Sequence, residues 1–229
     1  MILGRIRVLV PLLAVPLATV AALAGPAAAG ESKRDKEILN SGVITQDDVP
    51  AGWTSKKATG GDRAYQGISS CKKIKSAVDN AKKNVPRARS REFQDPTSQG
   101  TTSADDTVYA FKDAKAATKF LANYQDAEAT TCIEKAAAKV ARSQPSAESP
   151  TVSPVTDLEG VGDEAVGYEI ALDFSAGGQT ATLYIDLVAV RVGRTFIGFD
   201  FSNLGERIPD GPAIVQAVVA RVQGADASA

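Results

Sequence analysis

Eight basic residues stand between Lys72 and Arg91 (Lys72, Lys73, Lys75, Lys82, Lys83, Arg87, Arg89 and Arg91) against the single acid Asp79. Arg87, Arg89 and Arg91 recur every second position, so on a strand they project from one side. If a hairpin pairs odd positions with odd, Tyr109 and Phe111 lie beside them. Guanidinium groups next to aromatic rings suit a planar or anionic ligand, through forked hydrogen bonds and cation–π contact. An anionic wall polymer or a lipid headgroup has that character. The competing reading is a solvated basic face, its arginines neutralised by Asp105 and Asp106. Trp53, the one tryptophan, either stacks on a ligand or packs at the edge of the core.

Other residue types narrow the chemistry by what they lack. The chain contains no histidine, so Ser-His-Asp and Cys-His nucleophile systems cannot be assembled, and His-ligated zinc and imidazole pH switching are excluded. Asp157, Glu159, Asp163 and Glu164 cluster near glycines. Their spacing lacks the alternating ligand pattern of an EF-hand loop, and a solvated turn is the expected reading. They also offer the one start for a carboxylate-pair glycosidase, which needs two carboxylates across a cleft. No metal site and no cofactor are expected. A further candidate is a shallow apolar floor, formed if the small residues Gly167, Ala171, Ala189 and Gly198 align across three strands; helix packing would use the same residues.

The compartment follows from the first 29 residues. Arg5 and Arg7 precede an apolar run from Val8 to Leu23, broken by Pro11 and Pro16, and Ala27-Ala28-Ala29 supplies an A-x-A cleavage site. Residues 1–29 are read as a secretory signal peptide and 30–229 as one secreted domain. The run is short for a spanning helix. It holds no cysteine for a lipid, which argues against a lipoprotein. Loss of Arg5 and Arg7 leaves 24 basic residues against 27 acidic. A balance so near neutral argues against a general nucleic-acid binder. Cys71 and Cys132 are the two cysteines. In an oxidising compartment they read as one disulfide closing a loop of about 60 residues, worth roughly 4 kcal/mol in the chain-entropy model.

These residues need elements to hold them. Cys71, Ile74, Val78, Ala81 and Val85 recur at helical spacing, and Pro86 ends the helix. Arg87 to Gln94 and Thr107 to Phe111 read as extended segments around a polar loop. Asp113 caps a helix with Ala117, Phe120, Leu121 and Tyr124 inside, and a second helical stretch carries Cys132, Ala136 and Val140. Residues 144–154, rich in Ser and Pro, read as a connector. Val166, Tyr168, Ile170, Leu172 and Phe174 alternate with milder residues, Gly177-Gly178 turns the chain, and Thr180 to Val192 reads as a central strand. Thr195 to Phe201 returns, and a final helix buries Val215, Val218, Val219 and Val222. Short hairpins make these strands antiparallel. The expected class is α+β: a single domain with an antiparallel sheet of about five to seven strands, helices mainly on one face, and one disulfide.

The order of certain pieces resembles a known family. They are Asp48-Val49-Pro50-Ala51-Gly52-Trp53, Cys71, Cys132, Gly162-Asp163-Glu164-Ala165, and Val190-Arg191-Val192-Gly193 before a closing strand and helix. Together they resemble the exported actinobacterial domains related to the extracellular sensor domain of the PknH receptor kinase. The resemblance implies a sheet with helices on one side, a ligand cleft, and sensing or binding rather than catalysis. The chain departs from it in having one cysteine pair, no kinase or transmembrane helix, and no lipid-anchor cysteine.

The expectation is therefore a secreted, non-catalytic binding or sensor-like domain. Its ligand would be a small molecule or an anionic envelope component met by Arg87, Arg89, Arg91, Tyr109, Phe111 and Trp53. The alternatives are a histidine-free hydrolase using paired carboxylates and a structural interaction protein of the envelope.

Overall fold

A computed structural model describes residues 32–58, 71–98, 101–144, 146–176 and 179–227. The proposed leader and its cleavage site, Ser69-Ser70 and the Gly177-Gly178 turn lie outside the described residues.

Helix α1 (Lys33–Ser41) opens on a capping box, in which Ser32 and Asp35 satisfy each other's backbone N–H groups. Strand β1 (Thr54–Lys56) follows, then helix α2 (Lys72–Asn84), with Ile74, Val78 and Ala81 buried as the spacing requires. Strands β2 (Arg87–Arg89) and β3 (Glu92–Gln94) lead to β4 (Ser103–Ala110). Helices α3 (Ala114–Gln125) and α4 (Ala127–Arg142) are capped by Asp113 and Asp126, whose side chains accept from Ala116 N–H and Ala129 N–H. Strands β5 (Thr151–Pro154), β6 (Glu164–Ala176), β7 (Gln179–Val192) and β8 (Thr195–Leu204) precede helix α5 (Gly211–Ala227). The strands form one antiparallel eight-stranded sheet in the order β1-β3-β4-β8-β7-β6-β5, with β2 also paired to β4. The Ser-Pro connector thus supplies a short outer strand, because Thr151–Pro154 pairs with Tyr168–Ala171.

The α+β class, the single domain and the Cys71–Cys132 disulfide are as the sequence predicts. The helices, expected mainly on one face, are divided between two. Alternate residues of the central strands feed two separate cores. Val188, Val190, Ile197, Phe199, Val108 and Ala110 pack with Ile38, Leu39, Val215, Val218 and Val222 of α1 and α5. Ala189, Phe196, Tyr109 and Tyr168 pack with Ile74, Val78, Phe120, Leu121 and Ile133 of α2, α3 and α4. A strand apolar on both sides, as β7 is at its centre, requires cover on both sides. The disulfide ties Cys71 at the N-cap of α2 to Cys132 in α4, with Cα atoms 5.6 Å apart. Among the described residues no helix is long and apolar enough to cross a membrane.

A one-residue slip interrupts the β2–β3 edge. Arg87 pairs with Tyr109 and Arg89 with Thr107, but Phe93 pairs with Ala104. The extra residue lies at Ser90-Arg91, a β-bulge. Buried Ser90 fills it: its N–H donates to Asp106 O, and its Oγ accepts from Asp106 N–H.

Candidate functional site

The predicted arginine row is split by that bulge. Arg87 and Arg89 sit opposite Tyr109 and Thr107, the odd-with-odd register posed above as a condition. Arg89 reaches Asp105 at 3.2 Å, a pair almost wholly withdrawn from water. Arg91 is turned away and donates to Ser55 Oγ (2.9 Å) and Ser55 O (3.2 Å) at the outer strand. Tyr109 is fully buried and Phe111 nearly so, both inside the second core. The fold therefore does not bring the six proposed ligand residues into one exposed surface. Asp106, the other expected neutraliser, faces the opposite side, where its Oδ1 accepts from Ile44 N–H at 2.8 Å. Trp53 packs against the first core, the core-edge reading, and its carbonyl accepts from Gln46.

The small residues do not align either. Gly167 pairs with Val188 and lies on the α1/α5 side, whereas Ala189 and Gly198 pair with each other on the opposite side. Gly167 admits the segment after β5: a Cβ there would stand 2.8 Å from Val155 Cβ and 2.9 Å from Leu158 Cδ1.

The acid-rich loops are committed to arginines. Arg191 binds Asp163 at 2.7 Å and Glu164 at 2.9 Å, and Asp163 also accepts from Gly193 N–H, which pins the β7–β8 turn. Arg207, in the segment before α5, places Nε 2.8 Å from Asp186 and 3.1 Å from Glu169, with Asp157 at 3.8 Å. Burial raises the Asp186 carboxyl above the usual carboxylate range, against the bond from Arg207. Among the described residues no group of three acids or cysteines is placed to hold a metal ion.

What the fold does build is a groove between α2 and α3, flanked by the β4–α3 connection, with a cavity of about 820 Å³. That lies within the usual range for ligand pockets. Its floor is apolar: Ala77, Ala81, Val85 and Pro86 on one side, Phe111, Ala116 and Phe120 on the other. Ser76, Asn80, Asn84 and Asn123 stand along the walls. Asn84 Nδ2 is tied to Asn80 Oδ1 at 2.8 Å, and Asn123 Nδ2 to Phe120 O at 2.8 Å, so these amides are held in place by their own helices. The charged lining is Lys73, Lys112, Lys119 and Arg194 against Asp35 alone.

Those cations are not equivalent. Arg194 binds Asp35 at 2.7 Å and donates to Phe111 O at 2.9 Å. Burial pushes the Asp35 carboxyl up, but bonds from Ser32 and Arg194 outweigh it and hold the group below its ordinary range. Lys73 is bonded to Asp126, which raises its pKa. Lys112 lies 4.0 Å from its exposed neighbour Asp113, and Lys119 has no ion-pair partner among the described residues. The lining thus holds a fixed Arg194–Asp35 pair and two loosely held ammonium groups at its exposed rim.

Of the six residues proposed from sequence as ligand contacts, Phe111 alone lines the groove, joined by Lys73 from the wider basic run. The signal that could have found the rest is present. Lys73, Ala77 and Asn84 flank the buried stripe of α2, and Ala116, Lys119 and Asn123 that of α3 with Lys112 just before it, at spacings of three, four or seven positions. Only the packing of α2 against α3 shows that the two stripes face each other.

No protein-family model matches the chain, and no curated protein does. Among solved structures, the extracellular domain of PknH from Mycobacterium tuberculosis matches with a TM-score of 0.43 and 10% sequence identity, over 73% of this chain and 72% of that one. So loose an overlap leaves the likeness at the level of fold and does not make the chain a member of that family.

Proposed function

We propose that the protein is a non-catalytic, extracytoplasmic binding domain whose site is the α2–α3 groove, and that the groove takes an anionic ligand of the cell envelope. The observation that carries this reading is the lining itself: an apolar floor under four cations, with the one carboxylate already bound to Arg194. A site short of negative charge gains most from a ligand that brings it. The signal-like leader and the disulfide between the two cysteines support action outside the cytoplasm.

The test is charge reversal at the rim. Lys112→Glu and Lys119→Glu together should weaken binding of an anionic probe such as dodecyl phosphate at least tenfold by calorimetry, with an unchanged melting temperature. Unchanged affinity in the folded double variant would remove the groove from consideration.

A hydrolase using paired carboxylates has one observation in its favour. Asp186 is nearly buried beside Glu169. Against it, the Arg207 guanidinium already bridges both carboxylates, which leaves no room between them for a scissile bond. Glycosidase activity lost in both Asp186→Asn and Glu169→Gln would favour this reading instead.

A further inference from the structure

Resting on the groove as the binding site, we infer that its ligand is a single-chain anionic amphiphile, with methylenes laid along the floor and an acidic headgroup between Lys112 and Lys119. Three features point to a chain rather than a sugar or a bare anion.

The first is the shape of the aromatic surface. Sugars are held by an exposed ring face, but Phe111 and Phe120 are only 7% and 5% exposed. Their centroids lie 5.1 Å apart at a tilt of 44°, so the rings wedge into each other and into the core. What reaches the groove is the rim of each ring, an apolar wall and not a stacking platform. Opposite them α2 presents Ala77 and Ala81. Small side chains opposite nearly buried rings give an apolar surface that suits a polymethylene chain and offers a pyranose no ring face to stack on.

The second feature is the separation of charge from apolar surface. The less exposed lining includes Ala110, Phe111 and the neutralised Arg194–Asp35 pair. Lys112 and Lys119 are exposed. An acidic group therefore stays at the wet rim, where two ammonium groups receive it without desolvation. A small anion alone would gain only that surface attraction.

The third is the state of the wall amides. Asn84 and Asn123 direct their N–H groups to their own helices. Those amide N–H groups are spent within the chain, which leaves Ser76 and Asn80 as the neutral side-chain donors of the walls, a sparse set for reading the hydroxyl pattern of a sugar.

The experiment is a chain-length series of n-alkyl phosphates from butyl to dodecyl, all below micelle formation, titrated into the oxidised mature protein. Inorganic phosphate and the matching n-alcohols are controls. Affinity should rise about fourfold per methylene until the floor is covered, with phosphate and the short alcohols binding at least a hundredfold more weakly than dodecyl phosphate. Ala77→Phe or Ala116→Phe fills the groove and should abolish the dependence on chain length. Should either variant fold poorly, the side-chain amide NMR signals of Asn80, Asn84 and Asn123 in the unaltered protein give the same answer by shifting with the long chains only. Equal affinity for inorganic phosphate and dodecyl phosphate would overturn the amphiphile and leave the anion-binding groove standing. Failure of every anionic probe to bind would overturn the groove as well. Binding of phosphatidylglycerol vesicles without any response to the alkyl phosphates would move recognition to a bilayer surface and likewise end the inference.

Discussion

Charge is concentrated on both sides of the sheet, and the two concentrations differ in how far they are committed. On the α1/α5 side, three carboxylates from three segments converge on Arg207, two of them within 3.1 Å of its Nε. On the other side, Lys112 and Lys119 stand at the rim of a groove with no carboxylate among the described residues closer than 4.0 Å. The first cluster joins β6, β7 and the segment before α5. The second joins nothing. A charged group that closes contacts within the chain serves the fold, whereas one held beside an apolar cavity without a partner is available to something else. Counting charged residues does not separate these cases; tracing each one to its partner does.

The largest test of this contrast is to cut the staple that holds one wall of the groove. Cys71→Ser with Cys132→Ser should cost about 4 kcal/mol of stability in denaturant titrations. Because α2 is anchored there, ligand affinity should fall even where the chain remains folded, while the Arg207 cluster stays intact. Next in size is Arg207→Ala, which leaves nearly buried Asp186 facing Glu169 without a cation. The expected loss is about 2 kcal/mol at pH 7, discounted from the fully buried case because Arg207 is partly exposed. A second change, Asp186→Asn, should recover part of it. Neither change should alter binding in the groove, and a drop in affinity would break the separation of the two regions.

A third test concerns Asp106, where burial pushes the carboxyl up to about 7. The folded chain therefore holds this proton more tightly than the unfolded chain, whose Asp titrates near 3.9. The stabilising contribution is full below about pH 4 and drains away as pH climbs through about 7, at a slope approaching 1.4 kcal/mol per pH unit inside that window. Asp106→Asn keeps an acceptor for Ile44 N–H and should flatten the profile between pH 4 and 8 in thermal melts. An unchanged profile would assign the pH dependence elsewhere. The smallest test divides the arginine row. Arg89→Ser should destabilise by about 1 kcal/mol, because Asp105 loses a buried partner, and Arg91→Ser by less than about 0.5 kcal/mol, as expected of a surface contact. Equal effects would mean that the bulge does not separate them.

Much of the fold was legible because its signals are local. The stripe Ile74, Val78, Ala81 places α2, the Asp113 cap places α3, and alternation from Val166 to Phe174 places β6. The odd-with-odd pairing of Arg87 with Tyr109 was one of two registers open to the sequence; β2 takes it, whereas β3 pairs odd with even, Phe93 with Ala104. The slip at Ser90-Arg91 was not legible, because a bulge depends on Ser90 meeting Asp106 across the ladder. The division of helices between two faces was hidden for a related reason. The doubly apolar centre of β7 demands two covers but does not say which helix supplies each. The groove was missed because Asn80, Asn84 and Asn123 look like ordinary solvated helix residues until α2 and α3 are set side by side.

Both borders of the sheet are short, with three residues in β1 and in β3 beside it at one side and four in β5 at the other, against eight to fourteen in β4, β8, β7 and β6. Lys56 ends β1 and Pro154, which has no N–H to offer, ends β5. Two copies meeting rim to rim therefore find almost no backbone left to zip together. The long inner strands β7 and β8 thus have both edges paired within the sheet, and the borders offer little template for a further strand.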